Sequence, residues 1–290
     1  PVRPIAAEAR RQGALLDLDK HNWPWSMMIV PEMGVNLYEL TNNHVWRTRF
    51  LFSNWYPEYI GEHMAVERDG GHYTERGWIE FGFQNYYTLL NCGFQLQPTA
   101  GTASGVHPVP LGFGRVYVKI EGEFSYGKWI EGLAGGRSFV TTGPMLTTSM
   151  RRAGDKVQVI GLYEGAHPPA GIEVVVNGEV AHMIDAQPER TEAGSHRVEF
   201  TAEVALDSSS WVALRAFERR PDRRPRFAHT APEHFEVEGK PLRPRRVEVE
   251  YLIKRVTDEL ERHRDVLPEL AKEEYSSALA KYRALLEHAR

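Results

Sequence analysis

Apolar positions recur at two different spacings along the chain, and the points where the spacing changes divide it. Ile5 to Arg11 reads as the last turns of an amphipathic helix that stops at Gly13. The run Ala14-Leu15-Leu16-Asp17-Leu18-Asp19 predicts a strand buried on both faces. It ends in the polar-aromatic loop Lys20-His21-Asn22-Trp23-Pro24-Trp25. Val35 to Leu40 alternates like a second strand and closes at Thr41-Asn42-Asn43-His44. Glycine punctuates residues 53 to 80, which predicts a long irregular insertion, and Phe81 to Asn91 then reads as a helix with Gly93 as its stop. A strand over Arg115 to Ile120, a helix over Ser125 to Leu133 and a strand over Ser138 to Thr142 continue an α/β alternation. From Lys156 the period shortens: Val157 to Leu162, Ile172 to Val176, Glu179 to Ile184, His196 to Ala205 and Trp211 to Phe217 alternate between turn signals. Asn177-Gly178 is a hairpin dipeptide. Such runs predict a β-sandwich. Helical spacing returns in Val249, Leu252, Ile253, Val256 and Leu260. After Pro268 it continues in Leu270, Ala271, Tyr275, Ala278, Leu279, Tyr282 and Leu286, predicting an αα-hairpin tail. The expected organisation is an α/β barrel portion over 1–150, a sandwich over 151–240 and a helical hairpin over 241–290, whose apolar face suits a homodimer.

Composition narrows the classes. The 290 residues are 42% hydrophobic and 26% charged, the balance of a folded protein. With 35 Lys and Arg against 39 Asp and Glu the formal charge is -4, so no basic field draws in nucleic acid. The one cysteine, Cys92, rules out an internal disulfide framework, a Cys-rich zinc module and a CxxC centre, and reads as a small buried residue. No apolar run approaches the roughly 18 residues of a membrane span, and the start has no signal-peptide pattern. A soluble chain is expected, its compartment open between the cell interior and, if the N-terminus is processed, a secreted or periplasmic location. A helix already ending at Gly13 suggests a chain that begins partway through an architecture. About 150 residues are also fewer than the roughly 250 of a complete β/α barrel, so the barrel is expected to be partial or reduced. Arg219 to Arg226 reads as a solvated basic loop, His63 and His72 as solvated loop residues, and His229 and His234 as structural.

Chemistry is expected in loops that follow strands, because ligands of α/β folds collect at carboxyl ends. Three such loops carry a histidine, namely His21, His44 and His107. Imidazoles beside carboxylates such as Asp19 and Glu39 suit a divalent metal, Zn, Mn or Fe. Asp19 and Glu39 are also candidate general bases, and Arg115 is a candidate for neutralising an anionic substrate. No P-loop, GxGxxG, HExxH, GxSxG or HxH pattern is present.

Several blocks occur in a telling order: Tyr86-Tyr87-Thr88-Leu89-Leu90-Asn91-Cys92-Gly93-Phe94, then Pro98-Thr99-Ala100-Gly101-Thr102-Ala103-Ser104-Gly105-Val106-His107-Pro108, then Gly112-Phe113-Gly114-Arg115-Val116-Tyr117-Val118. With Trp129 to Leu133 and Gly136 to Leu146, they resemble the CehA/McbA-type members of the PHP-domain metallohydrolases. The resemblance is strongest over residues 5 to 150. It implies a distorted β/α barrel that holds divalent metal through His21, His44 and His107. Metal-activated water would attack an ester, amide or phosphoester of a small-molecule substrate, with Asp19 or Glu39 moving the proton. The family's HxH pair lies nowhere in the chain, and its late-loop aspartate is replaced near Ala103-Ser104. The alternative is a non-catalytic binding or assembly protein that recognises a carbohydrate or protein through Trp23, Trp25, Trp46 and Trp55 at the barrel mouth and through the sandwich.

Overall fold

The computed structural model describes residues 1–19, 22–46, 55–103, 109–185 and 187–290. It divides into two compact units: Pro1–Glu39, Arg49–Leu96 and Arg243–Arg290 form the first, Leu40–Thr48 and Gln97–Leu242 the second.

The first unit opens with helix α1 (Arg3–Arg11), which ends as its sequence predicts, with Gly13 at φ +68° and the Ala14 N–H donating back to the Ala9 carbonyl. Strand β1 (Asp17–Leu18) is shorter than the apolar run suggests. Leu18 is buried while Asp17 and Asp19 are exposed, so the strand alternates and one face is solvated, contrary to the expectation of burial on both. Helix α2 (Ser26–Ile29) passes into a π-helical turn, Val30–Gly34. Strand β2 (Leu37–Thr41) pairs with β1 in parallel and carries the chain from one unit to the other. A small hairpin, β3 (Arg68–Asp69) and β4 (His72–Tyr73), turns on Gly70 and Gly71. Helix α3 (Glu75–Asn91) starts inside the stretch expected to be irregular. Thr74 caps it by accepting the Gly77 N–H at 2.9 Å, and a Cβ on Gly77 would stand 1.9 Å from the Glu67 carbonyl oxygen. Gly77 therefore permits a close backbone approach and breaks no helix.

The second unit comprises β5 (Gln97–Ala100), β6 (Arg115–Val118), α4 (Tyr126–Ala134), β7 (Ser138–Thr141), β8 (Met145–Ala153), β9 (Lys156–Gly165), β10 (Pro169–Val176), β11 (Glu179–Met183), β12 (Glu189–Arg190), β13 (His196–Ala205), β14 (Ser210–Glu218), β15 (Phe227–Thr230) and β16 (Glu233–Phe235). Two antiparallel sheets run β11-β10-β14-β15-β7-β6, with β16 on β14, and β12-β13-β9-β8. Their inward residues, among them Val159, Tyr163, Val174, Val198 and Leu214, form one core. The β10–β11 hairpin turns on Asn177 and Gly178 at φ +49° and +88°, as the dipeptide predicts. Gly161 lies across from Phe200, whose ring fills the space a Cβ would occupy. Among the described residues the strands do not close into a barrel.

Helices α5 (Arg246–His263) and α6 (Glu269–Leu286) belong to the first unit. The stripe, which as an apolar face reads as core or interface, is core there: Val249, Leu252, Val256, Tyr275, Leu279 and Tyr282 are buried, and the Tyr282 hydroxyl donates to the Met27 carbonyl at 2.7 Å. Among the described residues no helix is long and apolar enough to cross a membrane.

Candidate functional site

In the first unit the parallel register sets Asp17 beside Leu37 and Leu18 beside Tyr38; Asp19 follows the last residue of β1, and Glu39 lies next after Tyr38 in β2. Asp19 is exposed and Glu39 half-buried. His21 follows immediately in sequence and lies outside the described residues, as does Lys20. Description resumes at Asn22, which is buried and accepts an Asn85 side-chain N–H at 3.2 Å. Trp23 and Trp25 come next, their ring centroids 6.4 Å apart. Trp55 meets Trp23 edge-on at 4.9 Å and continues to Tyr56 and Trp78. Three of the four tryptophans proposed as a platform thus share one aromatic cluster. The covered indole N–H groups of Trp23 and Trp55 have no acceptor among the described residues.

A polar network missed by the sequence reading runs beside this cluster. The Tyr251 hydroxyl lies 2.7 Å from Asn85 Oδ1 and 3.1 Å from the Tyr59 carbonyl, and Arg255 Nη1 donates to it at 2.6 Å. The guanidinium stacks over the Tyr59 ring, 4.3 Å from its centroid. His63, expected in solvent, instead packs against Tyr251 and lies 3.1 Å from Thr88 Oγ1. Burial pushes the Tyr251 pKa above the ordinary phenol value despite Arg255 nearby, so the hydroxyl keeps its proton. One signal was available in sequence: Arg255 and Glu259 stand three and seven residues after Leu252, on the apolar stripe of their helix.

The second unit holds the other candidates. His44 sits in a short turn, Asn43–Val45, with its backbone N–H donated to Asn42 Oδ1 at 2.9 Å. Asn43 is buried, and both ends of its amide lack partners among the described residues. Arg115 turns away from the expected substrate role: Nη1 donates to the Gly112 carbonyl at 2.9 Å and Nη2 to the Gly143 carbonyl at 3.4 Å, tying two loops together. Trp46 lies edge-on to Phe113, their ring centroids 4.7 Å apart. Arg226 lies over both rings and is buried, so this end of the basic segment is not solvated. His107 lies outside the described residues. A groove of about 1110 Å³ in the second unit, lined by Tyr117, Arg137, Phe139, Met145, Met150 and Ile160 among others, contains none of the candidate metal, catalytic or substrate residues.

Among the described residues no three His, Cys, Asp or Glu side chains come together as metal ligands. The described donors alone do not fit a metal centre. Burial, with Glu248 nearby, pushes the Cys92 thiol well above the usual range. No protein-family model, no curated protein and no solved structure matches the chain.

Proposed function

We propose that the chain is a hydrolase of the PHP kind, acting on an ester, amide or phosphoester, with Asp19, directly after β1, and Glu39, within β2, as its acid–base pair. The observation that carries this reading is the parallel pairing of β1 with β2, since Asp19 follows the last paired residue of one strand and Glu39 the last paired residue of the other. Two carboxylates at one site can divide the work of hydrolysis: one takes the proton of attacking water, the other returns a proton to the leaving group. The parallel pair is read as part of a reduced β/α barrel, and the two antiparallel sheets as an Ig-like sandwich. A divalent metal at histidines belongs to the same proposal. Because the described donors do not converge on one, no step is derived through it. A second reading, binding without catalysis, rests on the Trp23–Trp25–Trp55 cluster and its unanswered indole N–H groups, which suit the face and hydroxyls of a sugar.

One set of assays separates the two. Nitrophenyl ester, anilide and phosphate substrates are offered to the purified protein with and without added Zn, Mn or Fe, and metal content is measured in parallel. Turnover is expected, with Asp19→Asn and Glu39→Gln each lowering kcat by roughly 10²–10⁴-fold. Absence of turnover under every condition, with chelator-insensitive glycan binding lost in Trp23→Ala, overturns the hydrolase in favour of the binding reading.

A further inference from the structure

Arg255 is almost fully buried, at 3% exposure, yet it makes no ion pair with any described carboxylate. The nearest acid along its helix face, Glu259, is engaged with Arg262 at 3.0 Å and His263 at 3.3 Å. Of the three guanidinium nitrogens only Nη1 is used, donating to the Tyr251 hydroxyl. Nε and Nη2 are covered and have no partner among the described residues. These two nitrogens form the side edge of the guanidinium, where parallel N–H bonds grip two oxygens of one carboxylate or phosphate. The group is also held in place. Tyr59 stacks against its face at 4.3 Å, and Tyr251, itself bonded to Asn85, fixes the opposite edge. A buried, uncompensated cation with its fork open is costly unless an anion completes it.

We propose that Arg255 anchors an oxyanion-binding site in the first unit, taking a carboxylate or phosphate group side-on through Nε and Nη2. The site is distinct from the Asp19–Glu39 pair and stands whether or not that pair hydrolyses anything. Its occupant is an acceptor, since every unanswered atom at the fork is a donor.

Inorganic phosphate, sulfate and acetate are the probes, each compared with sodium chloride at equal ionic strength. The readouts are the thermal midpoint and the Arg255 Nε resonance, identified as the one that Arg255→Lys removes. At least one oxyanion is expected to raise the midpoint saturably and shift that resonance. Preference for acetate identifies a carboxylate occupant, and preference for phosphate or sulfate a tetrahedral one. Arg255→Lys, which keeps the charge without the fork, is expected to weaken binding by roughly tenfold or more, and Arg255→Met to abolish it. A rise matched by chloride, or equal in Arg255→Met, overturns the site. Should Arg255→Met fail to fold, an Nε resonance unmoved by all three anions overturns it in the wild-type protein.

Discussion

His229 is fully buried, with Nδ1 2.7 Å from the Thr230 carbonyl, a geometry in which Nδ1 carries the proton of a neutral ring. Burial pulls its pKa down from 6.5 to about 3. As pH falls from 6.5 the unfolded chain takes up a proton that the folded one refuses until about pH 3. Stability therefore drops through that window, by about 1.4 kcal/mol per pH unit for this one group. In urea unfolding at pH 7 and pH 5, the wild type is expected to lose more stability than His229→Asn, whose amide reproduces the donor without titrating. Equal losses would show that the ring does not drive the dependence. The structural role read for His229 agrees with this burial, whereas Arg226 was misread. An arginine among arginines looks solvated, and only tertiary contact with Trp46, 180 positions earlier, reveals an aromatic stack. Arg255 was hidden for the same reason. Its helix announces an apolar stripe, but nothing local says that a cation on that stripe stays buried.

Among the elements, those that end on glycine or turn on Asn-Gly were legible because the backbone conformation itself demands the residue, as at Gly13 and Asn177-Gly178. The start of α3 was not, since Gly77 is required by a neighbouring carbonyl that sequence spacing does not bring near. The start of α1 shows the same limit. No polar side chain precedes it; instead Glu274 of α6, itself buried, accepts the N–H groups of Val2 at 2.8 and 2.9 Å and of Arg3 at 2.9 Å. A carboxylate there answers orphan donors and the positive end of the helix together. Glu274→Ala is expected to cost about 1–3 kcal/mol, with lost amide protection concentrated in the first turn of α1. Uniform loss of protection across the unit would instead mark Glu274 as a general packing residue.

At the scale of the molecule, the three consecutive blocks suggested by periodicity miss how the first unit is built. It draws on both ends of the sequence, and α5 and α6 supply its core through Leu252, Val256, Tyr275 and Tyr282. A chain ending at Leu242 is expected to keep the second unit folded, with Trp211 still buried and its cooperative transition intact, while the first unit loses its transition. Two retained transitions would show that the first unit manages without its C-terminal helices. The same interleaving sets a timetable for synthesis. All of the second unit has been made by Leu242, but Val2 must wait for a carboxylate 272 residues further on. At about 5–20 residues per second that delay is roughly 15 to 50 s, during which Val2 and Arg3 stand without the partner that completes their helix.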